Sequence, residues 1–304
     1  MTLAVLCPGQ GAQHAAMLDL ALADSEGRRV LDAVDAALDE DMQRWTATDT
    51  MFANVHAQPL ICAAQNAQWR ALRERLPPPL AIAGYSVGEL SSYGLADAID
   101  PASLARLARE RATVMDAAAR EQPGSLLGVR GLSRRRVESV CAETGAHLAI
   151  AAGDNAFVVG AASAALAATA TRCERQGAQL RPLQVGVAAH TPLLAAAVTP
   201  LREALEASPL RAPAVAVIAG IDATAVFTRE RAIATLAPQI AQTVEWTQCQ
   251  DALYERGCRV FLELTPGSAL SRMVRERFDD VEARAADEFR SVAAIAAWVT
   301  RACG

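Results

Sequence analysis

LAIAGYSVGEL, residues 80–90, places a serine between two glycines directly after a run of apolar residues. The apolar run that stops at Gly84 predicts a buried strand, and the residues from Ser86 onward predict the start of a helix. A G-x-S-x-G sequence on a strand-to-helix turn exposes the serine oxygen on a sharp corner, where only small neighbours fit. The alternative is a tight turn whose serine merely caps a helix. The stretch therefore favours an α/β fold with Ser86 as a candidate nucleophile.

The segments around this turn alternate between short apolar runs and longer stretches with helical spacing. Alternation of this kind indicates an α/β fold with a sheet of parallel strands. Strands are predicted at 2–7, 80–84, 214–220 and 259–264, and helices at 15–40, 57–76, from Ser86 onward, at 101–120, at 229–241 and from 265 to the end of the chain.

Residues 123–188 follow a different order, βαββαβ, which is that of the ferredoxin-like unit. Ser133 and Gly145 are the predicted cap and stop signals of its first helix. Pro182 indicates that the last strand lies at an edge. The strands are expected at 125–131, 147–153, 156–161 and 178–185, and the helices at 133–145 and 162–177.

Composition and charge limit the classes of function. The chain has 304 residues, of which 52% are hydrophobic, enough for one large core with a small satellite domain. Its net charge is −5, so nothing global suggests nucleic-acid binding. We find no signal peptide and no apolar stretch long enough to span a membrane, and we expect a cytoplasmic protein. Seven scattered cysteines without CxxC spacing favour free thiols.

A serine nucleophile needs a base, and the chain offers His14, His56, His147 and His190. In α/β-hydrolases the base follows the last strands, and the absence of a histidine after 190 argues against a plain esterase or lipase. His147 opens a strand of the small subdomain and is interpreted as structural. His190, in GVAAHTPLL, lies where the chain re-enters the large domain. It is the candidate base, and a satisfied core histidine is the alternative.

Six segments in a fixed order extend the pattern over nearly the whole chain. They are PGQGAQ (8–13), GYSVGE (84–89), RATVM (111–115), AAHTPL (188–193), QIAQTVEW (239–246) and ELTPGSAL (263–270). Together they resemble the malonyl-CoA:acyl-carrier-protein transacylase family. The resemblance implies an α/β, hydrolase-like parallel-sheet core, residues 1–122 and 189–304, and an inserted ferredoxin-like subdomain, residues 123–188.

The resemblance also implies transfer of malonyl from malonyl-CoA to the prosthetic-group thiol of an acyl carrier protein. Ser86 would accept the acyl group as a malonyl-serine ester, and His190 would be its base. The backbone N–H groups of Gln10 and Val87 would form the oxyanion hole, where two preorganised donors can stabilise the negative charge of the attacked carbonyl. Malonyl-CoA is then a substrate, and no permanently bound cofactor or metal is expected.

Two further residues are implied to lie in the substrate site. Arg111 would bind the malonyl carboxylate, because a planar guanidinium can bind a carboxylate through two hydrogen bonds. Gln239 would lie beside the substrate and help to orient His190. Arg106 and Arg109, on the same predicted helix as Arg111, are interpreted as solvated surface charges.

Tyr85 and Thr265 depart from the family pattern, which usually has histidine and glycine at these positions. Tyr85 and the segment AQPLICAAQNAQW (57–69) resemble the transacylase (epsilon) subunit of biotin-independent malonate decarboxylase, which loads malonyl onto the decarboxylase's carrier subunit. Neutral change at a packed position would also explain Tyr85. We predict this branch, and the alternative is a malonyl-CoA:acyl-carrier-protein transacylase of fatty-acid or polyketide synthesis.

Other functions remain open. A serine thioesterase would use the same residues with water in place of the acceptor thiol. A non-catalytic scaffold that docks a carrier protein is disfavoured by the presence of Ser86, His190 and Arg111. The arginines of the small subdomain could hold an acidic carrier or the CoA phosphates, or could belong to a solvated helix face. They are Arg130, Arg134, Arg135 and Arg136.

Overall fold

A computed structural model describes residues 1–183 and 185–304. Its strands are β1 (Thr2–Cys7), β2 (Ala81–Gly84), β3 (Gly124–Arg130), β4 (His147–Gly153), β5 (Ala156–Ala162), β6 (Gln179–Pro182), β7 (Ala216–Ile218), β8 (Ala225–Val226), β9 (Cys258–Glu263) and β10 (Glu282–Ala285).

The helices of the N-terminal part are α1 (Asp19–Leu22), α2 (Ser25–Leu38), α3 (Met42–Thr46), α4 (Asn54–Leu72), α5 (Val87–Leu95) and α6 (Pro101–Glu121). Those that follow are α7 (Arg134–Thr144), α8 (Ser163–Arg175), α9 (Val198–Ala207), α10 (Arg229–Gln239), α11 (Trp246–Glu255), α12 (Ala269–Arg277) and α13 (Val292–Cys303). Single 3-10 turns occur at Asp49–Phe52, Arg73–Arg75, Pro192–Ala197 and Ala286–Glu288.

The larger sheet has the strand order β10-β9-β1-β2-β7-β8. Its neighbours run parallel, except that the two-residue strand β8 pairs antiparallel with β7. Strands β1 and β2 are buried almost throughout, as expected of parallel strands that are covered on both faces. The carboxyl ends of β1 and β2 lie side by side, because Cys7 pairs with Gly84. The loops that leave these two ends therefore meet at one edge of the sheet.

The smaller sheet is antiparallel, in the order β4-β5-β3-β6. Helices α7 and α8 cover one of its faces, and residues of the other face, such as Ile150 and Val158, belong to the core of the larger sheet. Backbone hydrogen bonds also join β4 to the segment after α10, from Ala151 N to Val244 O at 2.9 Å and from Val244 N to Ala149 O at 2.9 Å. The predicted parallel-sheet α/β core with its ferredoxin-like unit is confirmed. The boundaries at 122/123 and 188/189 stay a prediction.

Several predicted elements differ in detail. The helix predicted at 15–40 is interrupted at Asp24, whose carboxylate accepts from Glu26 N at 2.9 Å and so begins α2 as a new helix. The region after 264, predicted as helical, contains the parallel strand β10. Ser133 precedes α7, but its side chain makes no capping hydrogen bond, whereas Gly145 ends α7 with φ +72° as predicted.

The strand predicted at 178–185 ends at Pro182 and lies at the sheet edge. Its predicted range includes Gln184, which lies outside the described residues. All seven cysteines carry free thiols. Among the described residues, every helix is too short or too polar to span a membrane.

Candidate active site

Ser86 sits on a strained corner between β2 and α5. Its backbone has φ +59° and ψ −119°, a conformation that residues other than glycine rarely adopt. A Cβ at Gly84 would lie 2.1 Å from the backbone of Gly88, and one at Gly88 would lie 2.0 Å from Cys7 O. The helix therefore packs backbone against backbone on the strands. The Ser86 side chain does not cap α5, so the alternative of a capping serine is wrong.

His190 contacts the Ser86 hydroxyl and is fixed from behind. Its Nε2 lies 2.8 Å from Ser86 Oγ, and its Nδ1 lies 2.7 Å from the backbone oxygen of Gln239. The backbone N–H of His190 donates to Ile240 O at 2.8 Å, and the His190 backbone has φ +63°. Since Nδ1 faces a carbonyl, it carries the proton, and Nε2 is left to accept from Ser86. No carboxylate is needed to set this tautomer.

His190 is held in its neutral form. It is only 1% exposed, and burial lowers its pKa to about 3, with a further decrease from the positive charge of Arg111. The hydrogen bond to the Gln239 carbonyl raises the pKa but does not outweigh burial. A buried neutral imidazole beside a serine hydroxyl can act as a general base.

Arg111 points from α6 into the interior and is 3% exposed. One terminal nitrogen donates to Gln58 Oε1 at 2.7 Å and the other to Gln239 Oε1 at 3.1 Å. Burial lowers its pKa to about 10, so the guanidinium stays charged at neutral pH. Both of its partners are neutral amides. The site thus contains a buried cation without a directly bound counter-ion among the described residues.

Gln239, the last residue of α10, connects these groups. Its backbone oxygen holds His190, while its side-chain oxygen accepts from Arg111. Its Nε2 donates to Glu89 Oε2 at 2.6 Å and, more weakly, to Ser86 O at 3.3 Å. The contact to His190 is therefore made by the main chain of Gln239, while its side chain bonds Arg111, Glu89 and Ser86 O. A role of Gln239 in binding substrate stays a prediction.

The loop that holds Gln10 packs directly against the serine turn. A Cβ at Gly9 would lie 2.7 Å from Tyr85 O and 3.5 Å from Ser86 Cβ. The loop is anchored by Gln65, whose Nε2 donates to Pro8 O at 2.8 Å. In the part of the chain that the structure describes, the N–H groups of Gln10 and Val87 donate to no acceptor. This arrangement suits the predicted oxyanion hole.

Three residues of the site were missed by the sequence analysis as functional candidates: Asn54, Gln58 and Glu89. Gln58 bonds Arg111, and Asn54 Oδ1 accepts from Gln58 Nε2 at 2.7 Å and from the Gln10 side chain at 3.2 Å. The signal in the sequence is a set of amides inside an otherwise apolar helix, and an acid directly after the serine turn.

A cavity of about 460 Å³ opens beside His190, where the small sheet meets the large domain. His147, which was interpreted as structural, lines it together with Arg134 and Thr243. Next to the serine turn, the ring of Tyr85 meets that of Trp246 edge-on, with centroids 5.5 Å apart. Tyr85 therefore has a packing role at the turn.

Comparisons with known proteins identify the family of this chain. The chain is 26% identical over 304 residues to the malonyl CoA-acyl carrier protein transacylase of Haemophilus influenzae, with 96% of this chain and 97% of the relative covered. It is similar to the crystal structure of the acyl-carrier-protein S-malonyltransferase from Burkholderia pseudomallei 1710b, with 26% identity, a TM-score of 0.92 and coverage of 98% and 100%.

A malonyl-transacylase solved in complex with a type II PKS acyl-carrier protein is 25% identical, with a TM-score of 0.92 and coverage of 96% and 98%. The family model for the acyl transferase domain matches residues 5–299. These matches confirm the resemblance that the six motifs indicate, and the chain belongs to the acyl transferase domain family.

Proposed function

We propose that this chain transfers malonyl from malonyl-CoA to the prosthetic-group thiol of an acyl carrier protein, through a malonyl ester on Ser86. The observation that carries the proposal is the buried, charged Arg111, which in residues 1–183 and 185–304 bonds only neutral amides and is joined through Gln239 to the Ser86–His190 pair. The transacylase names of the relatives described above support the same activity.

The two half-reactions follow from the contacts of Ser86. His190 Nε2 takes the hydroxyl proton as Ser86 Oγ attacks the thioester carbonyl, and the N–H groups of Gln10 and Val87 stabilise the oxyanion. The carbon–sulfur bond then breaks, and His190 returns the proton to the CoA thiolate. In the second half, His190 deprotonates the carrier thiol, and its sulfur attacks the carbonyl carbon of the serine ester. The bond from that carbon to Ser86 Oγ then breaks, and His190 returns the proton to Oγ.

Arg111 gives the reaction its preference for a dicarboxylic acyl group. An unpaired carboxylate costs several kcal/mol to bury, so a pocket for malonyl must supply a cation. The guanidinium is already desolvated and held on its two terminal nitrogens by Gln58 and Gln239. A malonyl carboxylate can take the place of an ion-pair partner, which the described residues do not provide for Arg111.

The finer proposal concerns which carrier protein accepts the malonyl group. Tyr85 and the segment 57–69 favour the epsilon subunit of malonate decarboxylase, whereas the relatives described above favour the general transacylase. The two proposals differ in the acceptor: a carrier whose prosthetic group is related to dephospho-CoA, or a fatty-acid or polyketide carrier. Transfer rates to both carriers, measured side by side, distinguish them.

As far as the structure describes the chain, the arginines at the basic edge of the small subdomain divide into paired and unpaired ones. Arg134 donates to Glu245 at 2.7 Å and 2.8 Å, and Arg130 pairs with Glu276 at 3.2 Å. Arg135 and Arg136 are exposed at the start of α7. We include these two residues in the proposal as contacts for an acidic carrier.

Intact-mass measurement after incubation with malonyl-CoA tests the proposal. We expect a malonyl adduct that persists until a carrier thiol is added. Immediate release of free malonate without a carrier would indicate a thioesterase. Absence of both adduct and turnover would leave a scaffold and contradict the proposal.

A further inference from the structure

We propose that Glu89 is a positioning residue, which fixes the side-chain amide of Gln239 so that its oxygen faces Arg111. The inference rests on the proposed function, because it assigns Arg111 to an anionic acyl group. The Glu89 carboxyl bonds Gly220 N and the Gln239 side-chain amide, and the Glu89 backbone N–H donates to Ser86 O at 3.0 Å. Among the described residues, the carboxyl bonds neither Ser86 Oγ nor the His190 ring.

Glu89 is rigidly held. It lies in the first turn of α5, directly after the serine turn, and is 0% exposed. Its Oε2 accepts from Gly220 N at 2.8 Å and from Gln239 Nε2 at 2.6 Å. A Cβ at Gly220 would lie 2.7 Å from this oxygen, so the close approach depends on glycine. Gly220 is in turn fixed, since its oxygen accepts from Glu245 N at 2.7 Å.

The two ends of the Gln239 amide face opposite partners. Its nitrogen donates to the carboxyl of Glu89, and its oxygen accepts from the guanidinium of Arg111. A flipped amide would place N–H groups against N–H groups at Arg111 and oxygen against oxygen at Glu89. Without the Glu89 carboxyl, Gln239 Nε2 loses its 2.6 Å acceptor, and the amide can flip. Arg111 would then lose its hydrogen bond to Gln239 Oε1 and keep the one to Gln58.

The amide also separates two groups that would otherwise pair. Glu89 is a buried acid that lies close enough to Arg111 for each to shift the pKa of the other. A direct ion pair would occupy guanidinium N–H groups that an incoming carboxylate needs. With Gln239 between them, Glu89 holds the cation in place and leaves it open to an anionic ligand.

The orienting contact does not require a charged carboxyl. Burial raises the pKa of Glu89 to about 7, against the hydrogen bonds from Gly220 and Gln239 and the charge of Arg111. Its Oε1 is buried and has no hydrogen-bond partner among the described residues. Oε2 can accept from Gln239 whether or not Oε1 carries a proton. A glutamine at this position keeps such an acceptor and should therefore replace Glu89.

The experiment compares Glu89→Ala with Glu89→Gln, using malonyl-CoA and acetyl-CoA as donors. For Glu89→Ala we expect KM for malonyl-CoA to rise by about tenfold or more, the effect of a lost hydrogen bond to a charged group. Acetyl-CoA has no carboxylate for Arg111, so its kcat/KM should change by less than about threefold. Glu89→Gln should restore malonyl use to within about threefold of wild type.

Glu263→Ala is the matched control. Glu263 is also a buried acid at the end of a strand, but it accepts from Leu270 N at 3.1 Å and Ser271 N at 2.7 Å. The Glu263→Ala substitution should lower thermal stability without changing the ratio of kcat/KM for malonyl-CoA to kcat/KM for acetyl-CoA. Gly220→Ala, which displaces the carboxyl instead of removing it, should shift the ratio in the same direction as Glu89→Ala. It serves as the deciding variant if Glu89→Ala does not fold.

The deciding variant is Glu89→Ala if it folds and Gly220→Ala if it does not. If the ratio of kcat/KM for malonyl-CoA to kcat/KM for acetyl-CoA is unchanged in this variant, the positioning role of Glu89 is overturned. A Glu89→Gln variant that does not keep the wild-type ratio overturns it as well. A wild-type protein that forms no malonyl adduct refutes the proposed function instead. The two failures are therefore distinguishable.

Discussion

Replacing Arg111 by alanine separates the malonyl activity from the serine chemistry. The guanidinium is 3% exposed and donates to Gln58 at 2.7 Å and to Gln239 at 3.1 Å. A charge-assisted contact to a buried carboxylate contributes about 3 kcal/mol, and each 1.4 kcal/mol corresponds to about tenfold in rate. We therefore expect kcat/KM for malonyl-CoA to fall by about two orders of magnitude or more.

Acetyl-CoA provides the internal comparison for Arg111→Ala. It has no carboxylate, so kcat/KM of the Arg111→Ala variant for acetyl-CoA should equal or exceed that of the wild type. The assay is the ratio of the two kcat/KM values with one carrier at fixed concentration. Arg106→Ala is the matched control, since Arg106 is exposed on the same helix and, within the described part of the chain, bonds only the backbone oxygen of Ala37. It should leave the ratio unchanged.

The variant also leaves two buried amide oxygens without a donor, at a cost in unfolding free energy of about 1–3 kcal/mol each. Thermal unfolding must therefore be measured beside the kinetics. If malonyl-CoA and acetyl-CoA lose activity by the same factor, Arg111 is a structural residue and the malonyl assignment loses its physical basis.

Four other predictions test the serine, the histidine and the basic edge of the small subdomain. Ser86→Ala should abolish the malonyl adduct in intact-mass spectra with little change in melting temperature, and an adduct that survives would exclude Ser86. The pKa of His190 is lowered to about 3, so the acid limb of kcat/KM should lie well below pH 6.5; a limb at 6.5 or above contradicts the neutral buried imidazole. Because unfolded chains bind this proton more readily, stability should fall as the pH drops from about 6.5 towards 3. Reversing Arg135 and Arg136 to glutamate should raise KM for the carrier at low salt and weaken its salt dependence, and an unchanged KM would exclude this contact.

Much of the fold was predictable because its central strands are apolar runs bounded by glycine and proline. Strands β1 and β2 were found in this way. Strand β8 has only two residues and makes no pattern. Strand β10, EARA, carries two charged residues and lies at a sheet edge, so its sequence reads as helix. These strands form because the backbone of a neighbouring strand, β9 or β7, pairs with them. Local sequence does not show that such a neighbour is present.

The residues of the candidate site also divide into those that the sequence indicates and those that it does not. Ser86 was found because a steric motif surrounds it, and His190 because few histidines compete for the role. Gln58 and Glu89 have no such motif: each is defined by partners that are distant in sequence, Arg111 for the first and Gln239 for the second. A buried polar network of this kind is specified by pairs of residues, and a single sequence does not show which residues are paired.

The backbone packing at the serine turn also limits how the acyl preference can be redesigned. Gly84 and Gly88 are enclosed by main-chain atoms, so larger residues there would displace the helix from the sheet rather than reshape a pocket. The turn is thus a rigid platform for the hydroxyl of Ser86. The groups that surround Arg111 are side chains on α4, α6 and α10, and of these Gln239 also contacts the turn, through Ser86 O. Libraries aimed at new acyl groups should vary these three helices and leave residues 84–88 untouched.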